Sequence, residues 1–507
     1  MEEQGLVVKK YRKGMTKVGL LYPSTYSVAM SSLIYHRLYF AINDLENVYL
    51  ERLVMPSSYG GPAQLRGLEG GTPLRSFDFI IAPVHYELDY VNIIRALVGS
   101  GVSVLSKERE KPKIIVGGPA PTGNPEPIAE LADAIIMGDL EASWKWLASV
   151  LSEGSPIEPS EHVYVPALGK HEVSIGSSNS VFNDTRRILA PEAAFTIAVE
   201  VARGCPFSCN FCMDSYLTKP YRPRRAADVV NEAVELYEKY GTRVAMVGLT
   251  INASPWFRDI IRELSKREVK FSLPSLRAEL LSDDDVSLIA SVGQRTITVA
   301  PESSERLRVA LGKASKDEDF LRIARQVSRL GITLKVYAMV GLPGESEDDI
   351  RSLAGLIKSM VASGANVEVS ANPFIVKPQT PFQWLQMKSE AALNARLRLL
   401  KELVSGVERF TYYDPFLALV QGSISTGDRD LIRHLVNVAM EGGGRGAWRR
   451  EASSGLLSGV LSARESPLPW SHVKAPVREE ELRARLLEYL RRVPEAMKEL
   501  EVARGTL

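Results

Sequence analysis

The sequence predicts an α/β protein in three parts. Residues 1–153 read as a doubly wound domain of the flavodoxin type, 192–385 as a partial (β/α)6 TIM-like barrel and 386–507 as a mainly α-helical region, with a linker over 154–191. Three observations carry this reading. Five short apolar runs alternate with amphipathic segments in the first part, six further strand–turn–helix repeats start at Phe195, and beyond Gln386 the helical period dominates.

In the first part KVGLLYP, from Lys17, is a buried parallel strand, and Ser32–Ala41 has helical spacing. VYLERLVMP, FDFIIAP, KIIVGGP and ADAIIMG follow as strands, with helical patterns such as LDYVNIIRALVGSG between them. Ligands of doubly wound sheets sit beyond the strands' carboxyl ends. There the chain offers YPST after the first strand, His85-Tyr86-Glu87 after the third and Gly117-Gly118 after the fourth. EGSPIEPSEHVYVPALGK, rich in Pro, Gly and Ser, reads as a linker or a short β excursion.

The barrel opens with FTIAVEVAR, where alternation puts Phe195, Ile197, Val199 and Val201 on one face and Thr196, Ala198 and Glu200 on the other. RVAMVGL, KFSLPSL, TITVAP, LKVYAMVGLP and VEVSANP complete the strands. Ser282–Asp285, Ser315–Glu318 and Ser346–Asp349 each fit the S-x-x-[DE] capping box, and Ser254-Pro255 fits a cap followed by proline in the first turn. The active face of such a barrel lies at the strands' carboxyl ends. In the last part ELRARLLEYLRRVPEAMKEL is amphipathic with one solvated side.

Composition narrows the function classes. A net charge of +1 gives no whole-molecule field for polyanions or acidic membranes. No apolar run approaches the roughly 20 residues that span a bilayer, and MEEQGLVVKKYRKG lacks the apolar core of a secretion signal. All three cysteines fall in ARGCPFSCNFCMDS, so there is no disulfide framework, and a reducing cytoplasm is the expected compartment.

Cys205, Cys209 and Cys212 form C-x3-C-x2-C directly after the first barrel strand. Thiolates are soft ligands, which leaves an iron–sulfur cluster or zinc. Zinc would take a fourth ligand, such as one of the six histidines. Three thiolates on one loop bind three irons of a cubane and leave the fourth open to a small-molecule ligand.

This loop, with Phe211 before the last cysteine, resembles the signature of radical S-adenosylmethionine enzymes. The resemblance implies a 4Fe-4S cluster whose open iron is chelated by S-adenosylmethionine, cleavage to a 5′-deoxyadenosyl radical, and a one-electron reductant of the flavodoxin or ferredoxin type. It also implies a ligand-binding set at the strand ends: Gly248 in VGLT, which lacks the family's usual acid, Ser275 and Arg277 after the third strand, and Glu302 after the fourth. Arg277 would pair with the ligand's carboxylate and Glu302 with its ribose. Gly341 and Gly344, in VGLPGES, would let backbone approach the adenine. Glu200, with Arg203 beside it, is the candidate catalytic organiser at the mouth; the competing reading is that the two simply pair at the rim. Turn, surface-pair and helix-dipole roles compete for the glycines, Arg277 and Glu302 respectively.

The first domain resembles that of the cobalamin-binding class. YPSTYSVAMSSLIYHRLYFAIN, HYELDYVNI, GGPAPTGNPEPIAELADAIIMGDLE, APESSERLRVALGK, GDRDLIRHLVNVA and LPWSHVKAPV together resemble one branch that joins such a domain, a radical barrel and a helical tail. The cobalt-ligating D-x-H-x-x-G loop is missing: Pro23-Ser24-Thr25-Tyr26-Ser27 stands in its place, and His36 lies too far along. Two readings stay open. Either cobalamin binds without that histidine, with Gly117 and Gly118 opening the floor for its nucleotide tail, or the domain recognises substrate or packs on the barrel. His85 would then face a corrinoid, a substrate or only the sheet end.

Three cysteines leave none for a methylthiotransferase's second cluster, for an auxiliary cluster or for methyl relay through a thiol. What remains is hydrogen-atom abstraction, alone or followed by methyl transfer from cobalamin, on an RNA, a protein or a small molecule. Arg445, Trp448, Arg449, Arg450 and Trp470 form a set that can stack on nucleobases; the competing reading is a solvated helix with a packed indole. The competing class is a non-catalytic iron–sulfur electron carrier or scaffold, which has no use for ribose and carboxylate contacts.

Overall fold

The computed structural model describes residues 3–179, 184–189 and 196–505, and Phe195 lies outside them. It divides the chain into two compact units: Met1–Phe195 with Ser423–Gly459 and Glu465–Pro476, and Thr196–Gly422 with Val460–Arg464 and Val477–Leu507. The stretch after 386 therefore contributes to both units.

The first unit is built on β1 (Thr16–Thr25), β2 (Val48–Met55), β3 (Phe79–Pro83), β4 (Lys113–Gly117), β5 (Ala134–Ile136) and β6 (Val163–Tyr164). Their order is β2-β1-β3-β4-β5-β6, parallel except for β6. The first five follow the flavodoxin order, with the topological switch point between β1 and β3. All five predicted strands are present. The expected linker also carries structure, since β6 extends the sheet and Val173–Ser174 pairs with Val473–Lys474. Near-continuous apolar runs such as Val18–Leu21 and Ile114–Val116 are buried on both faces, as parallel strands under helices must be.

A polar knot holds the tail segments of this unit. Glu126 is fully buried and accepts hydrogen bonds from Tyr164 Oη (2.8 Å) and Arg429 Nε (2.6 Å), while Arg429 Nη2 donates to Tyr164 Oη at 2.6 Å. His171 and His472 stack on the Tyr164 ring at 4.8 and 4.9 Å. Asn124 Nδ2 donates to the Ser425 and Gly427 carbonyls. Three of the sequence stretches quoted above, NPEPIAEL, GDRD and WSHVK, thus meet in one place.

The second unit carries β7 (Thr196–Glu200), β8 (Arg243–Val247), β9 (Phe271–Ser272), β10 (Thr296–Glu302), β11 (Thr333–Val340), β12 (Asn366–Pro373) and β13 (Arg409–Tyr412). They run parallel in chain order, as β7-β8-β9 and β10-β11-β12-β13, joined by the parallel bridge Leu276–Val299. The open barrel is thus one strand longer than predicted. β13 is short and half exposed, so its apolar signal is weak. Ile297, Val299, Leu334, Val336, Val367 and Val369 are buried on one face. Their alternates Thr298, Lys335, Tyr337, Glu368 and Ser370 are half-buried on the other.

The capping boxes at Ser282–Asp285 and Ser346–Asp349 form as predicted. The one at Ser315 does not. Arg308 holds the Ser315 carbonyl and the Asp317 carboxylate at 2.9 Å each, so the helix starts at Asp317 and the Lys316 N–H bonds Asp319. At Ser254 the helix begins only at Phe257, and the serine hydroxyl accepts from Trp256 N.

Trp448 and Trp470 are both buried, so neither indole is open to stack on a base, and Arg450 pairs with Glu441. Among the described residues no helix is long and apolar enough to cross a membrane.

Breaking a buried ion pair from one side costs about 3–5 kcal/mol. Glu126→Gln should therefore lower stability by about 3 kcal/mol in chemical denaturation and speed amide exchange in 423–459 and 465–476, the tail segments of the first unit.

Candidate active site

The cysteine loop follows β7 and is closed at its neck by Ala202–Arg203 pairing antiparallel with Arg222–Pro223. Gly204, at φ +75°, makes the neck possible, because a Cβ there would stand 2.3 Å from the Thr218 carbonyl oxygen. Asn210 ties the loop to the end of the short helix Glu305–Ala310 that follows β10, through its N–H to Leu311 O (3.0 Å) and its Nδ2 to Ala310 O (3.2 Å). Cys205 Sγ lies 3.3 Å from Thr250 Oγ1, at the end of the VGLT stretch after β8. Gly248 packs there on the neck, 3.1 Å from the Ala202 carbonyl oxygen measured from where its Cβ would stand.

Cys205 and Cys209 are buried and Cys212 is partly so. Burial pushes the Cys209 thiol up, against the pull of Lys313 and Arg277. Burial, Asp214 and the other two thiols drive Cys212 well above the ordinary range. Among the described residues no three His, Cys, Asp or Glu side chains converge as ligands of a single ion would. The grouping therefore rests on the loop's spacing and on this mutual influence of the sulfurs. Soft donors that repel one another as anions call for metal charge between them, and an iron–sulfur cluster fits that donor set.

Arg277 lies over the ring of Phe207, inside the loop, at 3.7 Å. Its main chain is clamped by Asn252, which accepts from Arg277 N and donates to Arg277 O. Its Nε donates to Glu279, but Nη2 is buried without a partner among the described residues. A guanidinium N–H left unpaired inside a protein is costly unless an anion meets it.

Glu302 ends β10 in the left-handed region, at φ 64°. A non-glycine residue there carries on the order of 1–3 kcal/mol of strain, a cost found mainly at functional sites. Its carboxylate accepts from Lys313 Nζ at 2.9 Å, and both residues adjoin Cys209. The turn is braced from behind by Asp349, which accepts from Ser304 Oγ (2.6 Å) and from Arg306 Nε and Nη2 (3.1 and 2.6 Å).

Glu200 and Arg203 form a two-pronged ion pair, at 2.7 and 3.2 Å, as one of the two readings expected. Phe211 and Ser275 are half-buried near the mouth. The space a Cβ would take beside Gly341 is filled by Leu393, and that beside Gly344 by the Ala496 backbone at 2.6 Å, so both glycines allow close packing against outer helices. A Cβ at Gly118 would stand 2.2 Å from the Val84 carbonyl oxygen, and one at Gly117 3.5 Å from Ile136. Phe207, Asn210 and Lys313 also lie at this place, and the sequence reading passed over them. Lys313 lay in the quoted VALGK stretch, but its reach to Glu302 depends on the turn.

Two family models match this chain: the N-terminal model of radical SAM proteins over residues 35–166, and the radical SAM superfamily model over 199–357. Together they take in more than half of the chain and include the cysteine loop. The chain belongs to the radical S-adenosylmethionine superfamily. An uncharacterized protein of Methanocaldococcus jannaschii is 28% identical over 83% of this chain and 91% of its own length. The ribosomal protein uS12 methylthiotransferase RimO of Pelotomaculum thermopropionicum is 28% identical over 31% of this chain and 39% of that protein. The tRNA-2-methylthio-N(6)-dimethylallyladenosine synthase of Cereibacter sphaeroides is 27% identical over 44% of this chain and 52% of that one. This radical SAM protein thus matches only about half or less of those two enzymes. Among solved structures, TsrM from Kitasatospora setae, a radical S-adenosylmethionine methyltransferase with cobalamin and a [4Fe-4S] cluster bound, shares the fold. Its TM-score is 0.58 and its identity 15%, over 87% of this chain and all of that one. The cobalamin-dependent radical enzyme OxsB, with aqua-cobalamin bound, matches 97% of this chain and 82% of its own at TM-score 0.50 and 14% identity.

Burial would raise the Asp349 carboxyl, but its hydrogen bonds from Arg306, Ser304 and Ser346 hold it at about 2, against the usual 3.8. Its contribution is therefore complete above pH 3.8 and fades as pH falls toward 2. Asp349→Asn should cost about 2 kcal/mol at neutral pH and flatten the acid limb in urea titrations run across that window.

Proposed function

We propose that this radical SAM enzyme holds one [4Fe-4S] cluster on Cys205, Cys209 and Cys212, binds S-adenosylmethionine at the iron they leave open, and modifies an unreactive carbon. Cluster and S-adenosylmethionine together supply hydrogen-atom abstraction. The single observation that carries the reading is Arg277: a buried cation, stacked on the cysteine loop, with one N–H unpaired. An electron carrier or zinc scaffold has no need of it, whereas a bound amino acid carboxylate would complete it.

The chain's own residues then divide the work. Arg277 Nη2 takes the carboxylate, the carbonyls of Val247–Thr250 accept from the amino group, and Glu302, held by Lys313, accepts from ribose hydroxyls. Ser275 and Phe211 border the ligand. The Glu200–Arg203 pair orders the rim, and the half-buried wall of Thr298, Tyr337 and Ser370 presents hydroxyls to the substrate. Glycines 341 and 344 play no part in this reading.

The first unit is read as the seat of cobalamin, with methyl transfer as the reaction. Support comes from the β1/β3 switch point and from the cofactors carried by the fold neighbours TsrM and OxsB. The partial likeness to methylthiotransferases stops short of their chemistry, because three cysteines supply one cluster only. A one-electron reductant of the flavodoxin or ferredoxin type, in the cytoplasm, completes the scheme.

The test is anaerobic reconstitution with iron and sulfide, followed by S-adenosylmethionine, dithionite and hydroxocobalamin, with 5′-deoxyadenosine read by mass spectrometry. Deoxyadenosine should form and should vanish in Cys205→Ala. Arg277→Met should raise the S-adenosylmethionine concentration for half-maximal turnover by about ten- to a hundredfold, the loss of one charged hydrogen bond. Undiminished turnover in Cys205→Ala would overturn the reading.

A further inference from the structure

We propose that His85 is an axial cobalt ligand, supplied from the loop after β3, for a corrinoid at the β1/β3 switch point. The inference rests on the cobalamin reading above and adds the protein group that meets the metal.

Five of the six histidines are engaged elsewhere. His36 is buried, with Nε2 2.9 Å from Met30 O and Nδ1 accepting from Ile188 N, and burial lowers its pKa to about 4. His162 meets Ser174 O, His171 meets Gly169 O, His434 pairs with Glu451, and His472 lies 3.4 Å from Glu126. His85 alone has no polar partner among the described residues. It stands two residues past β3, where ligands of doubly wound sheets bind, with the Tyr22 ring at 6.5 Å from its own.

Two further features suit a metal ligand. The side chain is exposed, so a ring nitrogen is open to a ligand arriving from outside. The backbone that carries it is fixed, because Val84 N donates to Gly117 O at 2.8 Å and the Val84 carbonyl is seated against Gly118. The close approach at Gly118 thus helps to present His85. Ligation is donation of a ring nitrogen lone pair to cobalt with loss of a bound water; no electron is transferred.

Cob(II)inamide, which has no nucleotide base, is the probe. Loaded into the full-length protein and studied by electron paramagnetic resonance, it should show nitrogen superhyperfine splitting on the cobalt signal. The splitting should disappear in His85→Ala, an exposed position where folding is not at stake, and return on addition of imidazole. Retained corrinoid with no nitrogen splitting, or splitting unchanged in His85→Ala, overturns the proposal while leaving cobalamin binding intact. Failure of the wild-type protein to retain either cobinamide or cobalamin on gel filtration overturns the cobalamin reading as well.

Discussion

Everything at the mouth of the second unit depends on holding three thiols, two of them buried, on one short loop that has no sheet of its own. Burial opposes the ionised form of Cys209 and Cys212, and at Cys212 Asp214 and the other sulfurs add to it. The loop can hold that arrangement only because its neighbours fix it from outside. The neck clasps it at Gly204, Asn210 docks it on the end of the short helix after β10, and Thr250 touches Cys205. The two nearby cations, Arg277 and Lys313, offset part of the charge problem, and each is itself pinned by a carboxylate. The strained Glu302 backbone belongs to the same arrangement, since it brings a carboxylate to Lys313 where a regular strand would point it elsewhere.

A comparable logic governs the first unit, with a buried carboxylate in place of thiols. Glu126 would be untenable alone. Tyr164 and Arg429 satisfy it, and Asn124 fixes the incoming chain at Ser425 and Gly427. The result is a directional lock: the tail can seat in one register only, since a slip would leave the charge unpaired.

The parallel strands and the cysteine loop were legible in the sequence because each is written locally, in apolar runs, turn residues and spacing. Two of the capping boxes were equally plain. The misread ones failed for a non-local reason, as at Ser315, where Arg308 seizes the carbonyl. β13 was missed because a half-exposed four-residue strand carries little pattern. Arg277 and Glu302 were singled out from their place after strands. At the glycines, sequence reveals that a side chain is absent but not which neighbour fills the gap; Leu393, Ala496 and Val84 do so at Gly341, Gly344 and Gly118. Lys313 and Asn210 act across a turn whose shape no local signal announces.

The path of the chain carries a consequence for its birth on the ribosome. The first unit needs residues that lie some 300 positions beyond its sheet, as the Glu126–Arg429 and Asn124–Gly427 bonds record. Its β-sheet emerges early, yet Glu126 must wait for Arg429 until most of the polypeptide has been made. Neither unit can be released by one proteolytic cut, because the tail passes from one to the other and back. Synthesis order and final architecture are thus deliberately out of step: the oldest segment of the nascent chain is among the last to be finished.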